Sequence, residues 1–131
     1  MRQFAVIGLG EFGMHIAETL AKGDVEVLAI DNDPEHIGQI KDEVSQALQL
    51  DSTNEEALRK ANIEEVDTAI VAIGTNIQAN ILTTALLKRL GVRYIVSRAM
   101  NSLHGQILIR WFKNGLQGVD CRCGNAIKWI F

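Results

Sequence analysis

Three glycines spaced as Gly8-Leu9-Gly10-Glu11-Phe12-Gly13 are the residues of this chain best suited to holding a phosphate. In such a G-x-G-x-x-G loop the first glycine makes a tight turn and the second lets the backbone approach a ligand. The third lets a helix lie close against a strand. Three glycines at this spacing also arise by chance, so the flanking residues decide. Before the loop stands the apolar run Phe4–Ile7; after it, Phe12, Ile16, Ala17 and Leu20 fall on one helical face. A helix opening there points free N–H groups and its positive dipole end at an anion. A carboxylate, Asp31, lies eighteen positions after Gly13. That is close to the roughly 20-residue spacing of an acid bonding ribose hydroxyls, and Asn32 falls in the same turn. A 2′-phosphate would meet Asp31 and Asp33 with no arginine beside them, so the pattern selects against NADP.

Two more turns fall on the same side. Asp51-Ser52 follows a third apolar run and could hold an adenine or ribose edge. Ile73-Gly74-Thr75-Asn76 follows a fourth, where the strand order is expected to reverse and ligands bind. Thr75 and Gln78 also suit helix capping, and both roles can hold at once. Ser97-Arg98 ends a fifth run; Arg98 could reach a phosphate there or remain a solvated surface charge.

The elements that must position these turns are short apolar runs alternating with helix-length segments. Phe4–Ile7, Val25–Ile30, Ala47–Leu50, Thr68–Ile73 and Tyr94–Val96 read as strands. Ala69–Ile73 is apolar without alternation, as in a parallel strand covered on both faces. Asp33-Pro34 reads as an N-cap with proline at the first helical position. Thr53-Asn54-Glu55-Glu56 and Thr75-Asn76-Ile77-Gln78 fit capping boxes, opening helices to about Lys60 and Leu90. Gly91, after Lys88-Arg89-Leu90, is a C-terminal stop. Strand and helix alternating about five times predict a Rossmann-like, doubly wound parallel sheet in three α/β/α layers. That domain covers residues 1–110. Residues 111–131 show no clear period and read as an atypical tail.

Composition narrows the function. At 131 residues, 47% apolar and 22% charged, the chain is expected to form one soluble domain. The net charge of −3 offers no basic patch for nucleic acid. No apolar run is long enough to span a bilayer, and Phe4–Ile7 ends too soon at Gly8 for a secretory signal, so an intracellular setting is expected. Cys121 and Cys123 cannot complete a four-ligand zinc site, and His15, His36 and His104 are too widely spaced for a local metal motif.

The runs Phe4–Gly10, Val27–Asp31 and above all Val71-Ala72-Ile73-Gly74-Thr75-Asn76-Ile77-Gln78-Ala79 resemble the N-terminal RCK (KTN) domain of the Trk/Ktr potassium-uptake regulatory subunits. The resemblance covers about residues 3–109. It implies a cytoplasmic protein that binds ATP, ADP or NAD(H), with AMP also possible. It further implies dimers building a ring under a membrane potassium channel or transporter, at the inner face of the membrane. The ligand shell it implies is Gly8, Leu9, Gly10, Glu11, Phe12, Gly13, Asp31, Asn32, Asp51, Ser52, Ile73, Gly74, Thr75, Asn76, Arg98 and His104. No catalytic or metal residue is implied. Family members often carry arginine at the position of Glu11, where it touches the terminal phosphates; Glu11 departs from that. Related chains continue past His104–Leu108 into a helix, a sixth strand and an acidic residue near the site. Nothing in residues 111–131 reads that way, and the C-terminal RCK lobe has no counterpart.

Three functions fit: a gating subunit, a small NAD-dependent oxidoreductase, or a nucleotide sensor with a soluble partner. Against the oxidoreductase, no Tyr-x-x-x-Lys occurs and the one tyrosine, Tyr94, lies in a predicted strand. The apolar residues of Ile77–Leu90 exceed what one sheet contact needs, and Ile107–Ile109, Trp111 and Phe112 add to them. A subunit interface is expected there.

Overall fold

The computed structural model describes residues 2–112 and 127–130. Five parallel strands form its centre: β1 (Arg2–Ile7), β2 (Val25–Asp31), β3 (Gln46–Gln49), β4 (Thr68–Val71) and β5 (Tyr94–Ala99). The helices are α1 (Glu11–Ala21), α2 (Pro34–Ile40), α3 (Glu55–Lys60), α4 (Ile77–Arg89) and α5 (Ser102–Phe112), with a 3-10 turn at Ile63–Glu65. A last strand, β6 (Ile127–Ile130), pairs antiparallel with β5 from Val96↔Ile130 to Ala99↔Ile127. The sheet order is β3-β2-β1-β4-β5-β6. The chain leaves β3 for the far side of β1, so the order reverses between β1 and β4, where a crevice opens.

Two apolar layers result from the pleat. Val6, Val27 and Ala29 pack with Leu9, Ala17 and Ile40 under α1 and α2. Ala5, Ile7, Ile30, Ala69, Val71 and Ile95 face the other way, onto Leu58 of α3, Leu87 of α4 and Leu108 of α5. Removing each of the valine, leucine and isoleucine side chains among them from water is worth about 1.5–3 kcal/mol. The three-layer, doubly wound expectation holds.

Several local expectations need correction. α3 and α4 are capped by Asn54 and Asn76, whose side chains accept from Ala57 N and Ala79 N; the threonines one residue earlier do not cap. Thr53 instead bonds Asp51 through its N–H and hydroxyl. The Asp33 cap with Pro34 behind it, and Gly91 at φ +85° after α4, stand as expected. The end of the chain does contain a sixth strand, since Ile127–Ile130 is four residues, too short to show a period. α5 likewise continues through Trp111 and Phe112. Cys121 and Cys123 lie outside the described residues.

α4 differs most from its sequence reading. Ile81, Ala85, Leu86 and Leu90 pack partly buried against the core, leaving Ile77 and Leu82 as its exposed large apolar residues. The innermost positions include polar Asn80, Thr83 and Thr84.

Candidate functional site

At the carboxyl ends of the strands lies a cleft of about 910 Å³ around the glycine loop. Gly8 has φ +93°, and a Cβ there would meet Ile73 N at 2.9 Å. A Cβ on Gly13 would fall on Gly8 O and crowd Ala72 Cβ at 3.1 Å, so Gly13 lies behind the cleft and lets α1 approach the sheet. Gly10 is the N-cap of α1 and supplies no side-chain cap. The N–H groups of that first turn therefore need an external acceptor.

On the β2 side, Asp31 ends its strand with a side chain only 10% exposed. Its Oδ2 accepts from Leu9 N at 2.6 Å and its Oδ1 from Asp33 N at 2.8 Å. His36 Nδ1 lies 3.1 Å from Oδ2. Asn32, Asp33, Asp51 and Ser52 complete this wall. Both bonds from Thr53 hold the Asp51 carboxyl below its ordinary pKa, so it stays charged at neutral pH. The Ser52 hydroxyl is shared with Thr83 at 2.8 Å.

On the opposite wall Ile73, Gly74, Thr75 and Asn76 follow β4, and Arg98 reaches over from β5. The Arg98 guanidinium sits 4.6 Å from the centre of the Phe12 ring. Its Nη1 lies 3.0 Å from where a Cβ on Gly74 would be, so Gly74 makes room for it. Among the described residues Arg98 forms no ion pair. The Arg98 side chain is half-buried and lines the cleft. Glu11, at the start of α1, also lines the cleft and is exposed.

Among the candidate ligands, His104, like Gly13, lies outside the cleft lining. It is 1% exposed and stands behind the cleft wall, where its ring binds protein on both sides. Nδ1 accepts from Met100 N at 3.0 Å, and Nε2 meets Asn80 Oδ1 at 3.0 Å. Burial pushes its pKa down, keeping the ring neutral. Asn80 is the hub: its Nδ2 donates to Ile73 O and to Arg98 O, and its Oδ1 also accepts from Ser97 Oγ. Thus the wall that carries Arg98 is fixed by a buried amide.

The cleft unites fourteen of the sixteen candidates, all but Gly13 and His104. Sequence reading passed over His15, His36, Thr53 and Met100, which also line it. His36 had a legible signal, since it stands in the first turn of the helix after Asp31. Asn80 had none. Among the described residues no cluster of three or more His, Cys, Asp or Glu is assembled for a metal, and no helix is long and apolar enough to cross a membrane.

Comparison with known proteins places this geometry. The TrkA-N domain family matches residues 4–115. The Ktr system potassium uptake protein C of Bacillus subtilis (strain 168) is 45% identical over 107 residues, covering 82% of this chain and 48% of that protein. The chain spans about half the length of the curated relatives it matches. Among solved structures, the NAD(P)-binding domain of an exopolyphosphatase-related protein from Archaeoglobus fulgidus superposes with a TM-score of 0.72 at 23% identity, covering 88% of this chain and 83% of that one. The Shewanella denitrificans Kef CTD in its AMP-bound form gives 0.71 at 17% identity, covering 88% and 70%. These two likenesses are of fold.

Proposed function

Because the chain belongs to the TrkA-N domain family, we propose that it is the nucleotide-binding lobe of a potassium-uptake regulatory subunit, with residues 1–110 forming the lobe. The observation that carries this reading is the pair facing each other across the cleft. Asp31 ends β2 as a carboxylate suited to ribose hydroxyls, and Arg98 offers a guanidinium with no ion-pair partner among the described residues, beside the glycine loop, for phosphate. The ligand is an adenine nucleotide: NAD or NADH, ADP, ATP or AMP. The partner is a membrane potassium channel or transporter subunit, met at its cytoplasmic side by a ring of copies of this protein. The lobe works by binding and not by turnover. A ligand moves such an assembly only through unequal affinity for two conformations, and a full switch takes about 5.5 kcal/mol of difference. Several sites in a ring can supply that in modest shares.

Titration calorimetry with ATP, ADP, AMP, NAD and NADH tests the site. Asp31→Ala weakens the bound nucleotide by about 1.5–3 kcal/mol, the worth of hydrogen bonds to a charged group. It also loosens the loop, because Leu9 N and Asp33 N lose their acceptor. A variant that binds every nucleotide as tightly as wild type removes Asp31 from the site. Sustained NADH oxidation or ATP hydrolysis that disappears with Asp31→Ala would overturn the regulatory reading.

A further inference from the structure

A carboxylate offers about four lone-pair positions. In Asp31 three are taken by the protein's own donors: Leu9 N and the His36 ring on Oδ2, and Asp33 N on Oδ1. A ribose diol brings two hydroxyl donors, so one of the three must leave. Leu9 N belongs to the loop fixed by the Gly8 N–H bond to Ile30 O, and Asp33 N to the turn that caps α2. His36 alone is a side-chain donor, and at 35% exposure against 10% for Asp31 it has open cleft to move into. Asp33 Oδ2, 3.9 Å from the same ring nitrogen and 43% exposed, is ready to receive it.

We infer that His36 is a specificity-determining residue that occupies the ribose position on Asp31 and is displaced by a nucleotide carrying an intact 2′,3′-diol. This rests on the nucleotide reading of the cleft. The diol then competes with an internal hydrogen bond, so ligands lacking it leave His36 in place and gain nothing from Asp31. His36 thus subtracts from the affinity of diol-bearing ligands only, a signature that a residue touching adenine or phosphate cannot produce.

The test uses AMP and 2′,3′-dideoxy-AMP as probes on the full chain, wild type and His36→Ala. His36→Ala binds AMP about three- to tenfold more tightly, the worth of one hydrogen bond no longer displaced. Its affinity for dideoxy-AMP equals that of wild type. Equal gains for both probes, no gain for AMP, or weaker AMP binding each overturn the inference while leaving the nucleotide reading intact. A ligand-free readout separates the two. The His36 ring nitrogen resonances shift on Asp31→Asn if the pair exists, and unshifted resonances end the inference whatever the ligand does. If wild type binds neither probe nor any other adenine nucleotide, the nucleotide reading falls and the displacement with it.

Discussion

The two walls of the cleft solve the same task, holding a few polar groups at strand ends, in opposite ways. The β2 wall turns its polar side chains toward the cleft. Asp31, Asp33, Asp51 and His36 all line the cleft, held by short local bonds such as Thr53 to Asp51 and Glu35 N to Asp33. The β4–β5 wall presents the turn Ile73–Asn76 and one guanidinium, and buries a further polar network behind them. Asn80, Thr84, Ser97 and His104 are each no more than 1% exposed and bond one another or the strand ends. A wall built of local turns can adjust one side chain at a time. A wall tied through Asn80 joins Ile73, Arg98 and α5, so it holds or shifts as a unit. This contrast suits a device in which one side selects the ligand and the other reports it.

The largest effect expected from breaking the contrast is at Asn80. Asn80→Ala removes the amide partner of Ile73 O, Arg98 O and His104 Nε2, and leaves the Ser97 hydroxyl with Thr84 alone. Unpaired buried polar groups cost about 1–3 kcal/mol each, partly relieved by relaxation or water, so a net loss of about 2–4 kcal/mol is expected. Asp51→Ala, on the other wall, removes from an exposed side chain only its bonds to the nearby Thr53 and stays within about 1 kcal/mol. Urea denaturation of both variants measures the difference. Similar losses for the two would mean that the walls are not built differently.

A second, smaller effect sharpens the comparison through pH. His104 has its pKa lowered by burial, from an ordinary value of 6.5. The unfolded chain therefore binds the proton first as pH falls. The stability linked to this ring is complete above 6.5 and declines as pH drops from there toward the folded-state value. Protonation also places a hydrogen on Nδ1, which now accepts from Met100 N. Denaturation at about pH 7.5 and pH 5.5 checks this with His104→Gln, which is less stable overall but loses less between the two conditions. An equal decline in the two proteins would show that His104 does not carry the pH dependence.

The same contrast explains what could be read from the sequence. The glycine loop was legible because backbone demands restrict the residue type: φ +93° at Gly8 and the contact of Gly13 with Gly8 O admit little else. Asp31 was legible because its distance from the loop is set by one helix and one strand. The parallel strands were legible as unbroken apolar runs, although β5 extends to Ala99, beyond Val96. The buried network was not legible. Asn80 meets partners seven, seventeen, eighteen and twenty-four residues away, and within α4 nothing sets it apart from the other polar residues Gln78, Thr83 and Thr84. His104 was selected by resemblance for the ligand shell; its ring lies behind that wall, bonded to Met100 N and Asn80. The caps at Asn54 and Asn76 show a finer limit, since adjacent Thr and Asn both suit an N-cap and only the turn geometry chooses.

The smallest effect expected concerns phosphate number, and it is set at Glu11. Arg98 is the one arginine or lysine among the described residues lining the cleft, and it already spends one face on Phe12. Glu11 stands at the first turn of α1, where the free N–H groups would otherwise draw anions. A carboxylate there repels each added phosphate charge, so ATP is expected to gain little over ADP. Glu11→Arg replaces that repulsion with a guanidinium that can accompany the terminal phosphate. The position is exposed, so screening by water and salt reduces the benefit to about 1 kcal/mol, roughly fivefold in affinity. The gain is expected to fall on ATP, because in the proposed binding mode the glycine loop holds the α-phosphate of AMP whichever residue stands at 11. Titrating wild type and Glu11→Arg with ATP, ADP and AMP at one salt concentration isolates it, and raising the salt should shrink it. A wild type that already prefers ATP tenfold, or an arginine variant that helps AMP as much as ATP, would show that residue 11 does not face the terminal phosphate. The ligand's charge would then be read by Arg98 and the α1 N-terminus alone.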